Sequence, residues 1–291
     1  MATLSQWIEG ARPRTLPAAV SPIVLGTGAA YQTGDVVWAY AVLALVVALA
    51  LQVGVNYAND YSDGVRGTDE VRVGPVRLVG QRLADPRSVK IAAFACFFFA
   101  ALVGLALVAL SGLWVMIPIG AASIVAAWFY TGGSRPYGYL GLGEVFVFVF
   151  FGLVATLGTM ATMTALTPAG WWAAIGVGAL ASAILVANNL RDIPTDREHG
   201  KLTLAVRMGE GGTRVFYVAL LAVAFVMTGL AAFTSPWALL ALLAAPLVVR
   251  PVQAVVGRAT GRGLIPALAG TGRFQLVWSV LLAVGLALGR A

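Results

Sequence analysis

The sequence predicts an all-α polytopic membrane protein, a bundle of about nine transmembrane helices forming a single domain over residues 1–291. Two observations point there. Apolar residues make up 60% of the chain and charged residues only 11%, against about 45–50% and about 25% in a soluble domain. The apolar residues also gather into stretches near the roughly 20 residues that cross a bilayer as a helix. The mean hydropathy of +0.89 agrees. This composition excludes a soluble globule, a disordered chain and a disulfide scaffold. The single cysteine, Cys96, lies inside the apolar run AFACFFF and has no partner for an internal disulfide.

The apolar stretches lie near residues 16–33, 37–60, 88–109, 113–130, 142–163, 170–190, 214–233, 237–256 and 272–289. The first follows a polar start, MATLSQWIEGARPRT, that does not read as a signal peptide. Trp7 and Ile8 in that start fit a short amphipathic helix at the interface. Gly and Pro interrupt the sixth and eighth stretches, which membrane helices tolerate when neighbours satisfy the freed backbone groups. The aromatic run Phe146, Phe148, Phe150 and Phe151 in the fifth reads as packing or lipid-facing surface, or as the wall of an apolar channel.

The net charge is +7, and the charges fall on one side. With the N-terminus inside, 18 of the 19 Lys and Arg residues sit in the N-terminal tail, in the loops after the second, fourth, sixth and eighth stretches, or at their helix ends. Arg290 alone falls on the far side, and Asp35 is the other charge there. The positive-inside rule therefore places the N-terminus inside, with the basic loops and the site they flank on the cytoplasmic side of a bacterial cytoplasmic membrane. So basic a chain with so little soluble surface meets anionic head groups or an anionic substrate, and no nucleic acid.

The inner loops also hold most of the acids. Asn56, Asp60 and Asp63 close the second stretch at i, i+4 and i+7, on one helical face. Asn188, Asp192 and Asp196 close the sixth at i, i+4 and i+8. They share a face if the helix persists, but Pro194 disfavours a helical residue before it and would leave Asp196 on a loop. The two motifs mirror each other four stretches apart, and each precedes a Gly-containing basic loop.

Carboxylates crowded at a bundle's edge repel one another unless a cation bridges them. Mg2+ prefers oxygen ligands and completes its shell with water and substrate phosphates. Two facing acidic ends would hold Mg2+ against a diphosphate, with Arg72, Arg77, Arg135, Lys201 and Arg207 neutralising the remaining charge. There is no His or Cys cluster to favour zinc or haem, and no Walker loop. The single histidine, His199, reads as a surface residue, and Glu144 as either a site residue or an interfacial charge. An ion-coupled transporter is the reading from another class, opposed by acids that lie at the ends of the stretches. A lipid phosphotransferase would carry a D-G-x-x-A-R block, which is absent.

The motifs NDYSD and RDIPTD, on the second and sixth of nine stretches, resemble those of the UbiA-type intramembrane prenyltransferases. RPRTLPAAVSPIVLG (12–26), LQVGVNYANDYSDGVRGTDE (51–70), VGPVRLV (73–79), YTGGSRPYGYLGLGE (130–144) and NNLRDIPTDREHGKLTLAVRMG (188–209) bring it nearest to the branch that prenylates 1,4-dihydroxy-2-naphthoate in menaquinone biosynthesis. The resemblance implies a helical bundle around a cavity, and Mg2+-dependent transfer from a polyprenyl diphosphate to an aromatic acid with decarboxylation. It implies Asp60, Asp63, Asp192 and Asp196, with Asn56, Asn188 and Asp69, as the groups that hold metal and diphosphate. It places Arg135 and Lys201 at basic positions of the family. The first motif departs from the superfamily in spacing its carboxylates by three. Gln52, Tyr137 and Tyr139 are candidates for contact with the acceptor. Another aromatic acceptor, such as 4-hydroxybenzoate, homogentisate or haem, is the alternative within the family.

Overall fold

A computed structural model describes residues 2–34, 36–67 and 76–290. The described residues are helical and loop, with no strand. Helix α1 (Leu4–Gly10) starts at a capping box. The Thr3 hydroxyl accepts from the Gln6 amide, and the Gln6 side chain accepts from the Thr3 amide. It lies against α3 (Trp38–Val65), where the Trp7 carbonyl accepts the Tyr57 hydroxyl at 2.9 Å. Leu4 and Ile8 stay exposed, as an interfacial helix requires.

All nine apolar stretches are helical, but they differ in length. Among the described residues six helices are long and apolar enough to cross a membrane, or seven if the pair Pro236–Ala244 and α10 (Pro246–Val256), bent by 50°, counts as one span. Helix α2 (Leu16–Gln32) has 17 residues and α5 (Met116–Phe129) has 14. At 1.5 Å per residue these reach about 25 and 21 Å, short of a core of about 30 Å. An apolar count read from sequence includes flanking residues that the backbone spends on turns. Gly112, at φ +71, caps α4 (Pro86–Ser111), and α5 begins only at Met116, after the first three residues of the fourth stretch.

The core gathers around α8 (Pro168–Glu198), the most enclosed helix. Small residues let its neighbours approach. A Cβ on Gly176 would meet Trp278 at 2.5 Å, and one on Gly152 would meet Gly178 at 2.6 Å. Polar side chains tie the bundle inside. Trp278 donates to Thr228 at 2.9 Å, and Tyr217 and Thr271 share a hydrogen bond of 2.6 Å. These join α9 (Leu204–Ala231) to α11 (Ile265–Leu288). Gly209, at φ +69, breaks α9 near its start, so the span proper begins close to the expected residue 214.

Helix α8 runs through Pro194 without ending. The expected break is absent, and Asp196 is helical. Proline removes only its own N–H from the ladder, and Thr195 supplies a local bond from its hydroxyl to the Asp192 carbonyl at 3.0 Å. The fifth stretch is interrupted instead: α6 (Gly143–Val147) and α7 (Ala155–Ala161) are joined by a π-helical segment, Phe148–Val154.

Candidate active site

The C-terminal end of α3, the C-terminal end of α8 and the loop between α5 and α6 meet at one end of the bundle. A cavity of about 1120 Å³ opens there. Its polar wall includes Gln52, Asn56, Asn59 and Asp63 from α3, Asn188, Asn189 and Arg191 from α8, and Arg12, Arg77 and Lys201 from adjoining loops. Tyr130, Tyr137, Phe146, Phe150 and Phe151 continue the wall into the apolar interior. Phe148 turns away and packs over Gly178.

The first motif is held from both sides. Asn56 donates to the Ala11 carbonyl at 2.8 Å and to the Thr15 hydroxyl at 3.0 Å. Gln52 donates to the same hydroxyl at 3.0 Å. The oxygen Oε1 of Gln52 is buried without a hydrogen-bond partner among the described residues. Asn59 accepts from the Thr131 hydroxyl at 2.8 Å. Asp60 is turned from the cavity: its two oxygens accept the backbone amides of Leu78 (2.7 Å) and Val79 (3.1 Å). It thereby clasps the segment that carries Arg77.

Asp63 faces the cavity and accepts the Tyr139 hydroxyl at 2.7 Å. The Tyr139 ring lies between two cations, with Lys201 Nζ 4.8 Å and the Arg66 guanidinium 5.3 Å from its centroid. Arg66 in turn donates to the carbonyls of Thr131 and Gly133. Lys201 lies 3.9 Å from Asp196. Asp63, Tyr139, Lys201 and Asp196 thus form a chain of contacts from the first motif to the second. Arg191 sits inside the second motif. It grips Asp192 through two bonds of 2.7 Å and donates to Asn188 at 2.9 Å. All four aspartates are buried.

The other expected residues are placed as follows. Tyr137 lines the cavity, stacks on Phe146 with centroids 3.9 Å apart and donates to the Ala126 carbonyl at 2.9 Å. Burial pushes its phenol above the ordinary value. Tyr139 is spent on joining the motifs, and the cavity wall does not include it. Arg135 and Arg207 are exposed at the same end and stand apart from the wall. Asp69 and Arg72 lie outside the described residues. His199 is exposed, as expected. Glu144 is buried and accepts from Asn189 at 2.9 Å, which makes it an interior residue. Sequence reasoning passed over Arg12, Arg191 and Asn59. Arg12 opens the RPRT block, and Arg191 touches the second motif, so adjacency to the motifs was the available signal.

Residues 19–263 match the model of the UbiA prenyltransferase family. The chain belongs to the UbiA prenyltransferase family. It is 55% identical over 291 residues to the 1,4-dihydroxy-2-naphthoate octaprenyltransferase of Mycobacterium tuberculosis, covering 100% of this chain and 99% of that protein. The enzyme of the same name from Escherichia coli is 39% identical, covering 98% and 96%. Among solved structures, a UbiA homolog from Archaeoglobus fulgidus bound to GPP and Mg2+ superposes with a TM-score of 0.68 over 98% of this chain and 100% of that one, at 13% identity. That likeness shows the UbiA fold. The chain is accordingly a multi-pass membrane protein of a prenyltransferase family, as its composition and motifs led us to expect.

The donor set at the cavity suits Mg2+. At its polar end the cavity offers carboxylate and carboxamide oxygens, with no thiol or imidazole among the lining residues.

Proposed function

We propose that this chain transfers a polyprenyl group from an allylic polyprenyl diphosphate to 1,4-dihydroxy-2-naphthoate, with loss of carbon dioxide, in a Mg2+-dependent step of menaquinone biosynthesis. The observation that carries this reading is the convergence of the two acidic helix ends on one cavity that is cationic at its mouth and apolar within. The names of the relatives point to the same acceptor.

In this reading Asn56, Asp63, Asn188, Asp192 and Asp196 would hold the metal, with Asp60 and Asp69 as further candidates. Bound Mg2+ supplies Lewis-acid charge against the departing diphosphate. Arg12, Arg77, Arg191 and Lys201 line the wall and bind the phosphate oxygens, adding fixed positive charge where negative charge develops. Arg135 and Arg207 add to the field at this end, and Arg72 is a further candidate for the phosphates. The allylic C–O bond breaks, and the electron-rich naphthoate ring supplies the electron pair for the new C–C bond. Phe146, Phe150 and Phe151 exclude water that would otherwise capture the allylic cation. The unpartnered Gln52 oxygen accepts a ring hydroxyl of the acceptor, and Tyr137 forms the wall beside it.

The one-sided basic residues support an orientation with this end on the inner face of a bacterial cytoplasmic membrane and the N-terminus inside. The test is an acceptor panel with one labelled prenyl diphosphate in membranes. Product from dihydroxynaphthoate and none from 4-hydroxybenzoate is expected; the reverse refutes the acceptor. Asp60→Asn and Asp192→Asn should both lose transfer, and full activity in both sinks the assignment of the motifs. Lys201→Ala should raise the donor KM.

A further inference from the structure

Glu144 is a buried carboxylate that the transfer step leaves unused. It lies in the first turn of α6 and is 4% exposed. Its Oε1 accepts the side-chain amide of Asn189 at 2.9 Å, and its backbone carbonyl accepts the Ser182 hydroxyl at 3.1 Å. Ser182 and Asn189, at i and i+7, share one face of α8. The two bonds therefore seat the start of α6 on that face. Asn189 belongs to the cavity wall and Glu144 stands behind it. The second carboxylate oxygen, Oε2, is enclosed without a hydrogen-bond partner among the described residues. Burying an acid so incompletely satisfied inside a membrane bundle is costly and marks a functional position.

The bond to Glu144 fixes which way the Asn189 carboxamide points. A carboxylate only accepts, so Glu144 takes the NH2 end and the carbonyl oxygen, Oδ1, is left for the cavity. Among the described residues Oδ1 accepts no hydrogen bond, and it is not enclosed by protein. Asn188, one residue earlier, differs. Its oxygen accepts Arg191 at 2.9 Å and its NH2 group faces Asp192 at 3.5 Å. A carbonyl oxygen turned to the cavity repels a diphosphate, which offers only oxygens of its own, and suits a hydroxyl donor. The surrounding wall suits an arene. Leu185, one turn back on α8, lines it, as does Phe146 of α6, whose ring stacks on Tyr137.

We propose that Asn189 binds a ring hydroxyl of the aromatic acceptor through Oδ1, and that Glu144 is the positioning residue that holds the carboxamide in that orientation. This deepens the reading above and rests on it. There Gln52, on α3, accepts one hydroxyl of the 1,4-diol; Asn189, on α8, accepts the other. Without Glu144 the amide is free to turn its NH2 group to the cavity, and the hydroxyl loses its acceptor. The acceptor class is thereby a hydroxyarene, because an arene with that oxygen blocked leaves Oδ1 unpaired.

The experiment measures the Kd of 1,4-dihydroxy-2-naphthoate and of its two monomethyl ethers, with Mg2+ and the unreactive geranyl S-thiolodiphosphate bound, and then the KM of acceptor and donor. In the wild type the ethers should bind about tenfold or more weakly than the diol. Ethers that bind as tightly as the diol overturn the proposal without any mutation. In Asn189→Ala the penalty should vanish for one ether. The diol's Kd and KM should rise about tenfold, with the donor KM within about twofold of wild type. Glu144→Leu should match Asn189→Ala. Glu144→Gln keeps an oxygen that accepts the Asn189 NH2 group and should stay within about threefold of wild type. Misfolding lowers the active fraction and leaves each Kd alone. Ether penalties unchanged in Asn189→Ala overturn the hydroxyl contact, as does a donor KM that rises with the acceptor KM. Glu144→Gln as impaired as Glu144→Leu overturns the positioning role. A higher Mg2+ requirement in Asn189→Ala with an unchanged acceptor Kd marks a metal ligand instead and also overturns the proposal. If the acceptor panel selects 4-hydroxybenzoate, the same comparison runs with it and 4-methoxybenzoate. The panel thus reads which acceptor is used, and the ethers read its hydroxyl.

Discussion

Asp60 offers the sharpest test, because its buried carboxylate spans two peptide amides, Leu78 N–H at 2.7 Å and Val79 N–H at 3.1 Å. Replacing it with Asn keeps the shape but changes the chemistry. The amide oxygen still accepts one N–H, while its NH2 group now faces the other, donor against donor. A hydrogen bond to a charged group contributes about 1.5–3 kcal/mol net, and an orphaned buried donor costs a similar amount. We expect Asp60→Asn to make opening of the 76–79 segment easier by about 2–3 kcal/mol, which is roughly 30- to 150-fold in local exchange. The assay is amide hydrogen exchange of Leu78 and Val79 in detergent and without Mg2+, so that any metal role is silent. Arg77 rides on the same segment and lines the cavity, so the donor KM should rise in parallel. Exchange at both amides within threefold of wild type would refute the clasp, leaving Asp60 with the metal role alone.

Further outcomes follow from neighbouring contacts. Tyr139→Phe removes the donor to Asp63 but keeps the ring between Lys201 and Arg66; stability should fall by about 1 kcal/mol, and half-maximal activity should need more Mg2+ in a titration. Arg191→Ala removes the two 2.7 Å bonds that Arg191 makes to the buried Asp192, so thermal unfolding should report a loss of about 3 kcal/mol. Gly28→Val forces side-chain atoms against Ala283 across the α2–α11 seam; overpacking of this kind costs about 1–3 kcal/mol, visible as a lower Tm with the donor KM kept. Tyr137 is protonated more tightly when folded than when unfolded. The stability this brings is complete below its ordinary value of 10.0 and fades as pH rises through the folded value, so Tyr137→Phe should flatten the alkaline arm of the stability profile.

Much of the fold was legible because helix-forming apolar stretches announce themselves locally. The nine stretches all proved helical, and the spacing of Asn56, Asp60 and Asp63 placed them on one helix end as expected. The length of each helix and the path through Pro194 were not legible. Whether α5 stops at fourteen residues, or α8 survives a proline, depends on turns and neighbours that no local pattern records. The same limit applies to the site. Equal spacing on one face does not say that Asp63 meets the cavity while Asp60 turns to two loop amides, since the partners lie fifteen or more residues away.

The sequence by itself determined that this chain lives in a bilayer, that its charges gather at one end, and that two matched acid-and-amide motifs close two of its helices. These follow from composition and from period, properties of residue order alone. Only the tertiary structure decided that the two motifs share one cavity, that Tyr139 and Lys201 link them while Arg191 braces the second, and that Arg135 and Arg207 stand aside. Those outcomes rest on how closely glycines and alanines let the helices approach, a property of pairs of helices that neither one carries alone.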